Sequence, residues 1–132
     1  MALSNFAKNW VGVSFKHCGR DKNGVDCFGL LLQFLKQKGI EVPDPEYPEH
    51  WAKSGGDYFS EGLENFAGLF ERVNIPQSGD IVMFYGIKNI VTHTGIMTSP
   101  TKFIHAVEKA GVCVSPLSGQ FKRSLYGFFR IK

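Results

Sequence analysis

Cysteine is scarce in this chain of 132 residues. Cys18, Cys27 and Cys113 are an odd number, and their spacing fits neither a disulfide framework nor a zinc ribbon. A reducing compartment during synthesis is the simpler reading, although a Cys18–Cys113 disulfide stays open on sequence grounds. No stretch reaches the roughly 18 consecutive apolar residues of a membrane span, so no membrane partner is expected. The first ten residues lack the basic start and apolar core of a secretory signal. The chain is therefore expected to be made in the cytoplasm, with delivery to any outside target left to other proteins. Runs of one charge are missing as well. Fifteen basic against twelve acidic residues leave a net charge of +3 that is spread along the chain, which argues against nucleic acid as a partner. Repeats and low-complexity linkers are absent, so one domain over residues 1–132 is expected.

Apolar mass is plentiful. Hydrophobic residues make up 43% of the chain and twelve residues are phenylalanine, enough to fill a core without disulfide staples. Residues 3–10 carry Leu3, Phe6, Ala7 and Trp10 on one side of a short helix. A lead-in over residues 11–18 and a polar loop follow. Asp26 then stands as an N-cap for a helix over residues 26–37, stopped by Gly39. The proline-rich segment 43–48 reads as a surface loop. Phe59, Leu63, Phe66, Phe70 and Val73 recur every three or four residues and predict a second helix. Beyond Asn74 the period changes. Residues 80–85, 92–98, 101–107, 111–114 and 126–131 are short β-rich runs separated by Gly, Pro and Ser. Helices first and an antiparallel meander second give the α+β class.

One stretch concentrates the chemistry, Gly24-Val25-Asp26-Cys27-Phe28-Gly29-Leu30. A cysteine in the first turn of a helix meets unpaired N–H groups and the positive end of the dipole, both of which favour a thiolate. Such a stretch fits a nucleophile mount, and it equally fits an ordinary capped core helix. A catalytic cysteine also needs a base, and histidine suits that task near neutral pH. His50 lies in the proline-rich loop. His93 and His105 fall on successive predicted strands, with equal parity about a turn near Ser99-Pro100, so both can face one side of the sheet. One histidine can then take a proton from Cys27 while the other orients it.

These residues, with Gly79-Asp80-Ile81-Val82, His93-Thr94-Gly95-Ile96 and Lys102-Phe103-Ile104-His105-Ala106, resemble the NlpC/P60 family of cell-wall cysteine peptidases. The lead-in Gly-x-x-Phe-Lys-His-x-Gly-Arg over residues 12–20 resembles the phage tail-associated branch of that family. The resemblance implies a papain-like α+β fold in which a nucleophile helix packs on a central antiparallel sheet. It also implies hydrolysis of amide bonds in peptidoglycan stem peptides, of the γ-D-glutamyl type, without metal or cofactor. By motif, Cys27 would be the nucleophile, His93 the base and His105 the orienting residue. The backbone N–H of Cys27 would serve the oxyanion, and Asp26, His17 and Phe15 would lie on the substrate or oxyanion side. The sequence departs from the family pattern at Phe28, usually serine, and at Phe15, often tyrosine. An amidase, acyltransferase or deamidase on the same scaffold, and a non-catalytic phage tail or wall-binding module, are the alternative readings.

Overall fold

Two helices lead into a β-sheet in the computed structural model, which describes residues 2–41, 67–86 and 89–132. Helix α1 spans Ala2–Trp10 and helix α2 spans Cys27–Gln37. Between them, strands β1 (Arg20–Asp21) and β2 (Gly24–Val25) form a small antiparallel hairpin, the polar loop of the sequence. Phe15 joins it through a parallel bridge to Val25. The remaining strands are β3 (Phe70–Val73), β4 (Ile81–Tyr85), β5 (Val91–Ser99), β6 (Lys102–Val107), β7 (Gly111–Pro116) and β8 (Leu125–Ile131). A short helix α3 (Gly119–Arg123) precedes β8.

The six strands form one antiparallel sheet in the order β3-β8-β4-β5-β6-β7. The meander expected from the sequence holds for β4 to β7. Strand β8 then returns across the sheet and pairs with both β4 and β3. This corrects the predicted second helix at its end. Phe70 and Val73 lie in β3, paired with Ile131 and Phe128. A spacing of three residues suits a helix in isolation, but the apolar strand β8 offers an open edge, and tertiary pairing overrides the local period. Phe59, Leu63 and Phe66, together with His50 and the proline-rich loop, lie outside the described residues.

Strand alternation gives the sheet two apolar faces. Ile81, Met83, Ile96, Ile104, Ala106 and Val112 pack with Leu30, Leu31, Phe34 and Leu35 of α2 and with Leu3 and Phe6 of α1. Phe6 meets Phe34 edge-on, with ring centroids 5.3 Å apart. Val82, Phe84, Met97, Phe103 and Phe128 form a second cluster on the other face, under Leu117, Phe121 and Leu125. Each fully buried Leu or Phe contributes about 1.5–3 kcal/mol, so the two clusters clamp the sheet between the helices and the α3 segment.

Helix α2 starts where it does because of Asp26. That residue is extended, at φ −96° and ψ −175°, and its Oδ1 accepts from the Gly29 N–H at 2.7 Å. The same oxygen accepts from Arg20 Nη1 at 2.9 Å, and Oδ2 accepts from the Cys18 N–H at 2.9 Å. Gly29 is required by this docking, since a Cβ there would lie 2.1 Å from the Gly19 carbonyl oxygen. Asp26→Ala is expected to lower the unfolding free energy by about 2–4 kcal/mol, because a helix cap and a buried partner of Arg20 are lost together. Asp26→Asn keeps an oxygen for Gly29 and is expected to cost less. Urea denaturation of the three proteins measures both, and equal stability of Asp26→Ala and wild type would contradict this account.

Candidate active site

Cys27 occupies the first turn of α2 and is 7% exposed. Its thiol donates to the Thr92 carbonyl at 3.9 Å, one residue before His93. Thr92 is the extra residue of a β-bulge, since Phe84 pairs with His93 while Tyr85 pairs with Val91. Bulges re-aim a strand locally and recur beside active sites. Here the bulge lies where α2 meets the sheet. The thiolate expected from the helix start is not what the surroundings favour. Burial pushes the Cys27 thiol up from 9.0 to about 12, and the Asp26 carboxylate adds to the rise. The backbone N–H groups of Thr94, Phe28 and Cys27 pull the other way and are outweighed. Desolvation of the charged form therefore wins over the helix terminus.

The histidines meet as their parity predicted. His93 Nε2 lies 2.7 Å from His105 Nδ1, and the rings are steeply inclined at 70°. Gly95 makes room for this diagonal contact. A Cβ at that position would meet the Ile104 carbonyl oxygen at 2.7 Å and the His105 Cβ at 3.2 Å. On its far side, His105 Nε2 lies 2.8 Å from Ser115 Oγ on β7. Aromatic rings wall the pair: Phe84 beside His93 at 5.8 Å, and Phe103 and Phe121 beside His105 at 4.4 and 5.3 Å. His105 is fully buried and His93 partly so. Burial lowers His93 from 6.5 to about 4, and burial followed by repulsion from His93 lowers His105 to about 3. Both imidazoles are thus neutral near pH 7, each with a proton on one ring nitrogen and an acceptor lone pair on the other.

The other sequence-predicted residues lie in front of α2. Phe15 is half-buried against the core beside Val25. His17, Cys18 and Asp26 each bring one ligand-type atom within 4.8 Å of the others. The Asp26 oxygens in that group already accept from Gly29, Arg20 and Cys18, which makes the carboxylate a hydrogen-bonding hub of the loop. Phe28 is 6% exposed, with the Arg20 guanidinium 5.8 Å from its ring centre. All three cysteines are free thiols, so the Cys18–Cys113 disulfide is not formed. Sequence reasoning missed Ser115 and Phe121. Ser115 was within reach, because it shares the parity of His105 about the turn before Gly111. Phe121 sits in a helix of five residues, too short to show a period.

Comparisons with known proteins agree with this fold. The model of the NlpC/P60 family matches residues 12–130. A murein DD-endopeptidase MepS/murein LD-carboxypeptidase of Escherichia coli K12 is 26% identical over 119 residues, covering 89% of this chain and 55% of that protein. A probable endopeptidase NlpC homolog of Haemophilus influenzae is 26% identical over 126 residues, covering 95% of this chain and 58% of that protein. The chain therefore spans little more than half the length of these curated relatives. Among solved structures, an NLP/P60 family protein from Staphylococcus aureus superposes with a TM-score of 0.71 at 20% identity, covering 98% of this chain and 40% of that one. The NlpC/p60 domain of the peptidoglycan hydrolase SagA gives 0.66 at 20% identity and covers 98% and 97% of the two chains. The α+β architecture is thus that of NlpC/P60 domains, and with a family model matched over nearly its whole length, the chain belongs to the NlpC/P60 family.

Proposed function

We propose that this domain is a thiol hydrolase that cleaves amide bonds in peptidoglycan stem peptides, with Cys27 as nucleophile, His93 as base and His105 as the residue that orients His93. The observation that carries this reading is the buried His93–His105 hydrogen bond, on the strand whose bulged residue receives the Cys27 thiol. A core helix packed on a sheet has no need of two neutral imidazoles held nose to nose inside an aromatic box.

Because thiol and imidazole both rest neutral, attack and proton transfer belong to one step. The Cys27 sulfur bonds to the substrate carbonyl carbon as its proton passes to His93. The carbonyl oxygen gains charge near the N–H groups at the start of α2, where the helix dipole favours negative charge. Collapse of the adduct breaks the C–N bond, and the proton on His93 leaves with the amine. A water, deprotonated by the same imidazole, then splits the thioester and restores the thiol. His105, accepting from His93 Nε2, keeps the other ring nitrogen turned to the reaction.

The bond cleaved rests on family resemblance. That resemblance indicates the γ-D-glutamyl linkage, whereas the E. coli relative is named for DD-endopeptidase and LD-carboxypeptidase action. Delivery to the wall by phage tail or other partner proteins is part of the same proposal and rests on the lead-in at residues 12–20. Defined muropeptides carrying each bond, read by mass, are expected to show one cleaved by the wild type and none by Cys27→Ala. Cleavage by Cys27→Ala would end the assignment. Deamidated or transamidated products would move the activity to another acyl transfer, and intact substrate with every protein would favour a binding module.

The acid limb of kcat/KM is expected well below 6.5, the ordinary histidine value. The reasoning follows the sign of the shift: protonated His93 cannot act as base, and burial holds its pKa near 4. A rate profile measured from mildly acid to neutral pH checks this, and a limb centred at 6.5 or above would contradict the buried, neutral pair.

A further inference from the structure

We propose that Ser115 is a positioning residue for the histidine pair, holding it in the tautomer that leaves the Nδ1 atom of His93 open to a proton. This inference rests on the hydrolase reading above and extends it by one side chain.

The His93–His105–Ser115 chain has two neutral arrangements. In the first, His93 Nε2–H donates to His105 Nδ1, and His105 Nε2–H donates to Ser115 Oγ. In the second, every proton is reversed: Ser115 donates to His105 Nε2, and His105 Nδ1–H donates to His93 Nε2. The observed distances of 2.7 and 2.8 Å suit both. Only the first leaves His93 Nδ1 as an acceptor, because in the second that nitrogen already carries the proton.

A hydroxyl can donate or accept, so what Ser115 contributes is seen most clearly in its absence. Without it, the first arrangement strands a buried N–H donor at His105 Nε2, whereas the second strands only an acceptor lone pair. Buried N–H groups without a partner are the rarer and costlier case. Among the described residues, the rings beside His105 on this face are Phe103 and Phe121, and neither offers an acceptor oxygen. Cys113, opposite His105 in the β6–β7 register, points its sulfur at Ser115 Oγ from 4.0 Å, where a weak thiol acceptor can take the hydroxyl hydrogen of the first arrangement. Loss of the serine hydroxyl therefore tips the pair toward the unproductive tautomer. Ser115 lies on β7, the edge strand, and is partly exposed. Substitution there meets fewer packing constraints than at His105.

The test uses the full chain, uniformly labelled with nitrogen-15. Long-range proton–nitrogen correlation reads which imidazole nitrogens are protonated near neutral pH, and muropeptide cleavage gives kcat and KM in parallel. In wild type, His93 and His105 are both expected to carry the proton on Nε2. Ser115→Ala is expected to lose Nε2 protonation at both rings and to lower kcat on the order of tenfold to a hundredfold, the usual effect of removing an orienting partner, with KM little changed. Ser115→Thr keeps the hydroxyl on a strand-compatible residue and is expected to restore both readouts. Ser115→Asp, an acceptor alone, is expected to keep the Nε2 tautomer and to move the acid limb of kcat to higher pH, because a carboxylate beside the pair favours its protonated form. Wild-type tautomers in Ser115→Ala, or a wild-type His93 protonated on Nδ1, would overturn the assignment. If wild type cleaves nothing, the hydrolase reading fails, and the tautomer measurement still decides the role of Ser115.

Discussion

One carboxylate receives hydrogen bonds from three directions. Asp26 caps α2 through Gly29, holds the loop before it through the Cys18 N–H, and pairs with Arg20, whose guanidinium also reaches the Gly19 carbonyl and lies over the Phe28 ring. Cys27 follows directly, so the thiol's position on the sheet is set by a group that takes no part in the bond cleavage proposed for it. A surface cap of this kind contributes about 1 kcal/mol. Asp26 is 3% exposed, and an uncompensated charge at that depth costs several times as much. The difference explains why lead-in, hairpin and helix form one unit. Asp80 does the same for the other half of the sheet. Its carboxylate takes the Gln77 N–H and both arms of Arg130, tying the start of β4 to β8.

Burial then couples the fold to the chemistry. The packing that anchors α2 removes water from Cys27 and from both histidines, and each stays uncharged as a result. For a histidine whose folded pKa lies below its unfolded value of 6.5, the unfolded chain binds more protons as the pH falls. The stability from keeping it neutral is complete above 6.5 and is lost as the pH drops toward 4. The resting site and the folded state are therefore favoured over the same range, near and above neutrality, and each histidine adds to the acid sensitivity of the whole domain.

Most of this was legible in the sequence because it depends on short-range signals. The Asp26 cap and the Gly39 stop fix α2 within a residue. The turn at Ser99-Pro100 fixes the parity that brings His93 to His105. What escaped depends on contacts distant in sequence. The fate of Phe70 and Val73 was decided by β8, more than fifty residues away, and no local period can report an edge strand waiting for a partner. The thiol's charge state was misjudged for a related reason. The helix terminus is visible in sequence, whereas the depth to which the sheet covers Cys27 is not, and desolvation proved the larger effect.

The apolar character of the site follows from two departures that the sequence displayed at once. Phe28 follows Cys27, and Phe15 precedes it, at positions where the NlpC/P60 pattern that the sequence resembles usually has serine and often has tyrosine. Phe84, Phe103 and Phe121 surround the histidines with apolar rings, which does little to steady an imidazolium. In such surroundings a preformed ion pair is the costly state and a hydrogen-bonded neutral pair the cheap one. In the proposed mechanism, reactivity then comes from the alignment of the Cys27 thiol with the acceptors of His93, His105 and Ser115, because burial disfavours the thiolate. The proposed proton path would then depend on strand register, which the sheet sets through the bulge at Thr92, the absence of a side chain at Gly95 and the pairing of β6 with β7.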